Sequence, residues 1–382
     1  MLNIDCVPEA FIERFPEGAS IHGILAAYLS KGDASSLERW KPWRDTWPDP
    51  QSFKDCMPIA WIGALESATS SLEHKPGGKY HLLPPAASGS WNTSSLPEGS
   101  TRDDAPGGTY QDILPKQEER ISAAWETVRE VFPDTNWDTF CYHWFIVNTR
   151  SFYYVSPGEE EPEDWNDAVG LVPIADYFNH ADDPACMATF HEDGYTLSAT
   201  RRIEKGEEVH ISYGSHTNDY LFIEYGFFLD HNPSDAIFLD DLIFRELTES
   251  ELETLRYHDL YGDYKLTHHG ACPRTQAVAC IRYMSSRKWE DYVLHHSLNN
   301  TDREIMTDII NGWVRAYLKE CDSTIQTLST MRREVSSVPA TNGEGASVPV
   351  KLSTLLKRWE QIRCLCEATL HGSSRHTGST TA

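Results

Sequence analysis

The sequence lacks long hydrophobic runs. No segment of its 382 residues approaches the roughly 18 consecutive apolar residues that mark a membrane-spanning helix, and no basic and apolar leader follows Met1. Hydrophobic residues make up 40% of the chain and charged residues 24%, which is the composition of a soluble globular protein. We therefore expect no membrane association and a location in the cytoplasm or the nucleus.

The cysteines lack any regular spacing. Nine are scattered along the chain without a disulfide framework, which indicates reduced thiols in an intracellular protein. Cys364 and Cys366 are close in sequence, but they lack the further nearby thiols that a closed zinc site needs. The histidine pairs at 268–269 and 295–296 are adjacent rather than one helical turn apart. The sequence therefore predicts no metal site.

Positive charge is scarce. The chain has 33 Lys and Arg against 58 Asp and Glu, a formal net charge of −25. Nucleic-acid binding is disfavoured because neutralising phosphates requires a cationic face. The charge would suit a basic protein substrate through long-range steering. Acidic loops that only keep the protein soluble explain it equally well.

Three common catalytic motifs are absent: the Walker loop, the Rossmann fingerprint and the nucleophile elbow. What is present is a patterned stretch at 170–228. It contains an apolar run closed by Asn179-His180, two β-type runs separated by an Asp-Gly turn, a strand ending at Tyr213, and an aromatic segment. The β-type runs span 185–190 and 195–199, and the turn between them predicts a hairpin. The strand spans 209–213 and the aromatic segment 220–228.

The order and spacing of these parts carry a family resemblance. ADYFNH, a hairpin, EEVHISYG and an N-x-x-L-x-x-x-YGF pattern resemble the C-terminal half of a SET domain, in the subgroup typified by Rubisco large-subunit methyltransferase. Upstream, the segment 148–152 (NTRSF) looks like the V-x-S-R-x-F signature of the same family. The family's early Gly-x-Gly turn is missing, because the one Gly-x-Gly lies at 343–345. We expect the chain to lack the first part of its SET domain.

The resemblance implies an α+β fold. Small β-sheets of a SET domain at 1–240 should be interrupted by a helical insertion at about 20–165, with a threaded, pseudoknot-like crossing where Asn179-His180 meets the Tyr213 strand. An all-helical domain similar to the subgroup's substrate-binding domain should follow at 241–372. Ser, Thr, Gly and Pro dominate 66–111, which predicts disorder there, with the LLPP segment at 82–85 as a docking island. A frayed tail is expected at 373–382.

Apolar periodicity predicts several helices independently of the resemblance. The clearest span 20–29, 113–132 and 137–149, and two long ones follow near the C-terminus, from about 301 and from about 352. Thr248 and Glu251 form a capping-box pattern. The tryptophans at 40, 43 and 47 are interpreted as packing between short helices rather than as a ligand site.

The function that the resemblance implies is a protein-lysine N-methyltransferase that uses S-adenosylmethionine and acts on a non-histone protein. Methyl transfer to an amine is an in-line displacement that needs a neutral amine and precise alignment. Lysine has an ordinary pKa near ~10.4, and an apolar channel disfavours its charged form by desolvation. A strong general base is therefore not required.

Tyr213 matches the family's catalytic tyrosine, whose hydroxyl orients the amine. Arg150 matches the arginine that meets the carboxylate of the cofactor, for which a guanidinium fork is well suited. Each has an ordinary alternative. Tyr213 could be a packed strand residue, and Arg150 could form a structural salt bridge.

Four further residues match cofactor-binding positions. Asn179 and His180 correspond to the pair that holds S-adenosylmethionine, and Tyr225 and Phe227 correspond to aromatics near its adenine. For His180 and Tyr225 the alternative is a role in core packing.

Three residues match the lysine channel. Thr149 and Asp176 correspond to positions whose main-chain carbonyls line it, and Phe152 corresponds to its wall. Relatives that methylate histidine carry a polar residue at the position of Phe152, so its aromatic ring favours lysine. A histidine-directed enzyme and an inactive SET-fold interaction module remain as alternatives.

Overall fold

The computed structural model describes residues 1–61, 63, 65, 82–89, 110–155, 158, 160–162, 167–191, 194–337 and 348–377. The chain divides into two compact units. The first comprises 1–60, 115–216 and 220–232, and the second comprises 61–114, 217–219 and 233–382. The division near residue 232 lies close to the predicted boundary at 240, and the second unit additionally takes in 61–114.

The helices follow the periodic segments of the sequence. In chain order they are α1 (Glu9–Ile12), α2 (Ile21–Lys31), α3 (Ala34–Glu38), α4 (Lys41–Arg44), α5 (Pro50–Cys56), α6 (Pro85–Ser88), α7 (Ile113–Val131), α8 (Trp137–Arg150), α9 (Asn218–Tyr225), α10 (Asp240–Phe244), α11 (Glu249–Tyr257), α12 (Pro273–Ile281), α13 (Ser286–His295), α14 (Asn300–Ser337) and α15 (Val348–Thr377). Short 3₁₀ helices lie at Ile4–Cys6, Pro58–Ala60 and Ala175–Tyr177.

The strands are short and form small sheets. They are β1 (Ser151–Tyr153), β2 (Val169–Leu171), β3 (Asn179–His180), β4 (Cys186–His191), β5 (Gly194–Ala199), β6 (His210–Ile211), β7 (Ala236–Phe238), β8 (Lys265–Thr267) and β9 (Gly270–Ala271). β1 pairs antiparallel with β2, β4 with β5, and β8 with both β7 and β9. The predicted hairpin is confirmed, although the two turn residues at 192–193 lie outside the described residues.

β3 and β6 pair in parallel, with Asn179 opposite His210 and His180 opposite Ile211. The hairpin β4–β5 lies between them in sequence. This pairing confirms that the Asn179-His180 segment meets the strand that leads to Tyr213. It also explains how His180, 33 positions upstream of Tyr213, reaches its surroundings.

The core of the first unit lies between helices. Ser20 caps α2 by accepting the Gly23 N–H at 3.1 Å, a neutral cap of the kind worth about 1 kcal/mol. Gly23 also allows close approach, since a Cβ there would lie 3.1 Å from Ala124 Cβ on α7. Phe140 and Trp144 of α8 are buried in the same core. These contacts bring the C-terminal end of α8 to the small sheets.

The second unit is mainly helical, as predicted, with α14 and α15 as its longest elements. Two differences appear. The strands β8 and β9 lie inside the region predicted to be all-helical, where they form a small sheet with β7. Helix α15 continues to Thr377, into the predicted tail. The docking of the LLPP segment is confirmed, because Leu82 and Leu83 are buried and the Leu82 carbonyl accepts the Trp359 indole N–H at 2.9 Å.

The rest of the predicted disordered stretch (66–81 and 90–109) lies outside the described residues, as do 338–347 of the polar linker and the last five residues. None of the helices in the described part of the chain is long and apolar enough to span a membrane. No disulfide joins the nine cysteines, all of which are described.

Candidate active site

A cavity of about 440 Å³ lies within the first unit. Its wall is built from the end of α8, strand β1, the hairpin β4–β5, the turn after β2, the residues after β6 and part of α9. The cavity brings together six of the predicted site residues: Thr149, Arg150, Phe152, Asp176, Tyr213 and Tyr225.

The other three predicted residues do not line the cavity, but two of them surround Tyr213. The His180 ring lies 5.2 Å from the Tyr213 ring, and the Phe227 ring lies 6.2 Å from it. Asn179 is exposed, and its Nδ2 donates to Glu208 Oε1 at 2.6 Å. The cofactor roles of Asn179, His180 and Phe227 stay predictions.

Tyr213 is held at both ends. Its hydroxyl donates to the Phe178 carbonyl at 2.8 Å, and its main-chain N–H donates to His180 Nδ1 at 3.0 Å. Burial raises the pKa of the Tyr213 phenol, so it stays protonated at physiological pH. Burial lowers the pKa of His180, and the neighbouring His216 lowers it further. The site therefore favours a neutral phenol beside a neutral imidazole.

Arg150 lies between the cavity and a buried carboxylate. Its Nη1 donates to Asp176 Oδ2 at 3.0 Å and to the Asp176 carbonyl at 3.2 Å. The Asp176 side chain is 0% exposed, while the Arg150 side chain keeps 20% exposure. The structural salt bridge considered from the sequence is thus present. The Nε of Arg150 is buried without a hydrogen-bond partner among the described residues.

An aromatic wall closes another side of the cavity. The rings of Phe152 and Tyr195 lie 5.0 Å apart, and those of Tyr154 and Phe190 lie 4.9 Å apart, both edge to face. Phe190 and Tyr195 come from the two strands of the hairpin, and Phe152 comes from β1. This wall offers an apolar, aromatic surface to a side chain that enters the cavity.

Sequence reasoning missed a buried carboxylate on the cavity wall, Glu224. It accepts hydrogen bonds from Arg120 Nη2 at 2.7 Å, Gln117 Nε2 at 3.0 Å and Asn148 Nδ2 at 3.1 Å. Its side chain is only 7% exposed. One sequence signal could have found it, namely a single charge within the otherwise apolar and aromatic LFIEYGFF segment.

His216 and Tyr220 were missed as well. Their rings stack at 4.3 Å, and His216 Nε2 lies 3.0 Å from the Tyr213 carbonyl. Gly214 makes this arrangement possible, since it has a φ of +126° and a Cβ there would lie 2.6 Å from His216 Nε2. Glycine tolerates this conformation without strain.

Comparison with known proteins finds similarity to SET-domain proteins. Residues 52–214 match the family model of the SET domain. Ribosomal lysine N-methyltransferase set11 of Schizosaccharomyces pombe is 32% identical over 213 residues, which cover 52% of this chain and 54% of that protein. SET domain-containing protein 4 of Homo sapiens is 25% identical over 221 residues, which cover 55% of this chain and 50% of that protein.

Ribosomal lysine N-methyltransferase 2 of Saccharomyces cerevisiae is 25% identical over 253 residues, covering 59% of this chain and 49% of that protein. The chain thus spans about half the length of the curated relatives it matches. Among solved structures, the SET domain of LSMT bound to methyllysine and AdoHcy gives a TM-score of 0.51 at 17% identity, covering 98% of this chain and 81% of that chain. That similarity supports the fold.

Proposed function

We propose that this chain, whose residues 52–214 match the SET-domain family model, is an S-adenosylmethionine-dependent protein-lysine N-methyltransferase acting on a non-histone protein. The observation that carries the proposal is the meeting of Tyr213, Arg150 and Phe152 on one cavity, although they lie up to 63 positions apart in sequence. The names of the yeast relatives, which are ribosomal lysine methyltransferases, support lysine as the target and a ribosomal protein as a substrate class.

The residues present fit the cofactor. A cavity of about 440 Å³ is within the usual range for small-molecule sites, and the buried Nε of Arg150 lacks a partner among the described residues. Arg150 would bind the carboxylate of S-adenosylmethionine, and Tyr225 would pack against its adenine. When bound, the cofactor supplies an electrophilic methyl group on a sulfonium.

The chain's own residues then align and desolvate the amine. The aromatic wall around Phe152 excludes water from the lysine side chain, which lowers the pKa of its ammonium group. Tyr213, protonated because burial raises its pKa, orients the amine through its hydroxyl and does not act as a base. The main-chain carbonyls of Thr149 and Asp176 would accept hydrogen bonds from the amine.

The substrate protein is proposed to be basic. The net charge of −25 would steer a cationic partner toward this protein and would repel nucleic acid. A cytoplasmic or nuclear site of action accords with this chemistry. The aromatic ring of Phe152 at the channel position favours lysine over histidine as the modified residue.

The test incubates cell lysate with radiolabelled S-adenosylmethionine and this protein, followed by mass spectrometry of the labelled products. We expect methyllysine, and about a 100-fold fall in rate for Tyr213→Phe, because the variant lacks one hydroxyl that aligns the reacting amine. Tyr257→Phe is the matched control, since Tyr257 is 86% exposed and should behave as wild type.

Each failure has a distinct meaning. Equal labelling by wild type and Tyr213→Phe would remove Tyr213 from its role. Methylhistidine in the products would support the histidine-directed alternative. No binding of S-adenosylmethionine in calorimetric titration would support an inactive interaction module.

A further inference from the structure

A single turn contacts both Arg150 and Tyr213, the two residues on which the proposed chemistry depends. This turn, residues 174–178, contains the 3₁₀ helix Ala175–Tyr177. Asp176 fixes the guanidinium of Arg150 through its carboxylate and its carbonyl. The Phe178 carbonyl accepts the hydroxyl proton of Tyr213 at 2.8 Å. A shift of the turn would therefore move both groups together.

The turn is strained at its first residue. Ile174 has a φ of +79° and a ψ of −45°, a conformation that β-branched residues rarely adopt. The residue is 67% exposed, so packing of its side chain does not hold the backbone in place. Strain of this kind persists only where surrounding contacts impose it. Two local hydrogen bonds constrain it, from the Asp176 N–H to the Val172 carbonyl at 3.2 Å and from the Tyr177 N–H to the Ile174 carbonyl at 3.1 Å. Contacts from neighbouring elements add to them.

The segment at 43–46 supplies two of those contacts. Trp43 Nε1 donates to Asp176 Oδ2 at 2.8 Å, and Thr46 Oγ1 lies 3.0 Å from the Tyr177 hydroxyl. Trp43 is 5% exposed and the Asp176 side chain is fully buried. A hydrogen bond to a carboxylate is among the stronger kinds, and burial keeps water from competing for it.

We propose that Trp43 is a positioning residue, whose indole N–H clamps the strained turn and thereby sets the Arg150 guanidinium and the Tyr213 hydroxyl. The clamp is a property of the first unit. Its consequence for cofactor binding and catalysis rests on the proposed function. The interpretation of the tryptophans as packing residues is correct for their rings, since the ring centroids of Trp43 and Trp47 lie 4.9 Å apart. The indole nitrogen of Trp43 has a separate polar role.

The test compares Trp43→Phe with Trp40→Phe. Both variants remove one indole N–H and keep an aromatic ring in the same cluster. The Trp40 nitrogen is buried without a hydrogen-bond partner among the described residues, so only Trp43→Phe breaks the clamp. Hydrogen–deuterium exchange of the amides at 174–178 should become about tenfold faster in Trp43→Phe and stay within about twofold of wild type in Trp40→Phe.

A second measurement separates positioning from general destabilisation. Calorimetric affinity for S-adenosylhomocysteine should fall about tenfold in Trp43→Phe, with kcat at saturating cofactor also reduced. On an Asp176→Ala background the same tryptophan substitution should have a clearly smaller effect, because the acceptor is gone and only the packing of the indole ring is still lost.

Unchanged exchange at 174–178, an equal effect of both tryptophan variants, or additivity with Asp176→Ala would each overturn the proposal. Absence of cofactor binding by the wild type would overturn the proposed function instead. The exchange experiment would then still decide whether Trp43 clamps the turn.

Discussion

Arg358 in the second unit and Arg150 in the first are both paired with aspartate, yet their surroundings differ. Arg358 is 0% exposed, and its guanidinium donates to Asp219 at 2.6 Å and to Asp235 at 2.7 Å. Arg150 donates through one nitrogen to a single carboxylate and keeps 20% exposure on the cavity wall. The guanidinium donors of Arg358 are thus used within the protein, whereas part of the Arg150 guanidinium remains available.

The difference separates a structural arginine from one that we propose to bind a ligand. A buried guanidinium shared by two carboxylates is retained because removing any partner leaves an uncompensated charge. A guanidinium with a buried, unpartnered Nε on a cavity wall is more simply explained by a ligand that completes it. Residue type alone does not distinguish the two roles of arginine. They are distinguished by how many guanidinium donors are already used and by whether the side chain reaches a cavity.

The sharpest test of this distinction is Arg358→Lys. A lysine ammonium cannot reproduce the fork that serves both Asp219 and Asp235, so one buried carboxylate loses its partner. We expect a loss of about 3 kcal/mol in the free energy of unfolding, measured by urea denaturation with exchange protection in the second unit as the local probe. A loss below about 1 kcal/mol would mean that this network behaves like a surface ion pair.

The same substitution at Arg150 should have the opposite profile. Arg150→Lys keeps a positive charge beside the buried Asp176, which also retains the Trp43 hydrogen bond, so the loss of stability should be about 1 kcal/mol and smaller than that of Arg358→Lys. Affinity for S-adenosylmethionine should fall about tenfold, because the planar fork that suits a carboxylate is lost. Calorimetric titration measures the effect, and Arg201→Lys, on an exposed arginine, is the control.

Intact affinity in Arg150→Lys, or a stability loss as large as that of Arg358→Lys, would contradict the assignment of separate roles.

The smallest predicted effect is an opposite response of the two units to pH. In the first unit, burial lowers the pKa values of His180 and His216. When the folded-state pKa of a histidine is lowered, the stability of the fold with a neutral ring is complete above the ordinary histidine pKa of about 6.5. That stability is lost as pH falls below this value.

In the second unit, burial raises the pKa of Asp240 to about 6. Burial, together with the charge of Asp240, raises that of Asp241 to about 7. Raised carboxyl pKa values reverse the pH dependence. The stability that these protonated carboxyl groups contribute is complete below the ordinary aspartate pKa of about 3.9 and is lost as pH rises through 6 to 7. Exchange of amides in each unit at pH 5 and pH 7.5, corrected for intrinsic rates, measures both slopes. Asp241→Asn should reduce the pH dependence of stability in the second unit. Slopes of equal sign in the two units would contradict the prediction.

Much of the fold was predictable because its signals are local. The predicted capping box of Thr248 with Glu251 is complete, and the helix predicted from residue 20 begins directly after its N-cap Ser20. The Asp-Gly hairpin and the long amphipathic helices depend on neighbouring residues in the chain. β8 and β9 were missed because strands of three and two residues are too short to show a period.

The candidate site divides in the same way. Matching motifs nominated nine residues, and six of them line one cavity. The Trp43–Asp176 and Gln117–Glu224 hydrogen bonds join residues 133 and 107 positions apart. No local pattern specifies such pairs, because each partner has an ordinary role in its own segment.

The sequence by itself determined where helices begin and where the hairpin turns, because these depend on backbone preference and side-chain chemistry within a few residues. The candidate site residues came from the resemblance to SET domains. Only the tertiary structure decided that Arg150 keeps a free Nε, that a strained turn carries both Asp176 and Phe178, and that a tryptophan nitrogen holds this turn. Those features depend on which donors and acceptors remain unpaired after distant segments have packed, and packing is a property of the whole first unit.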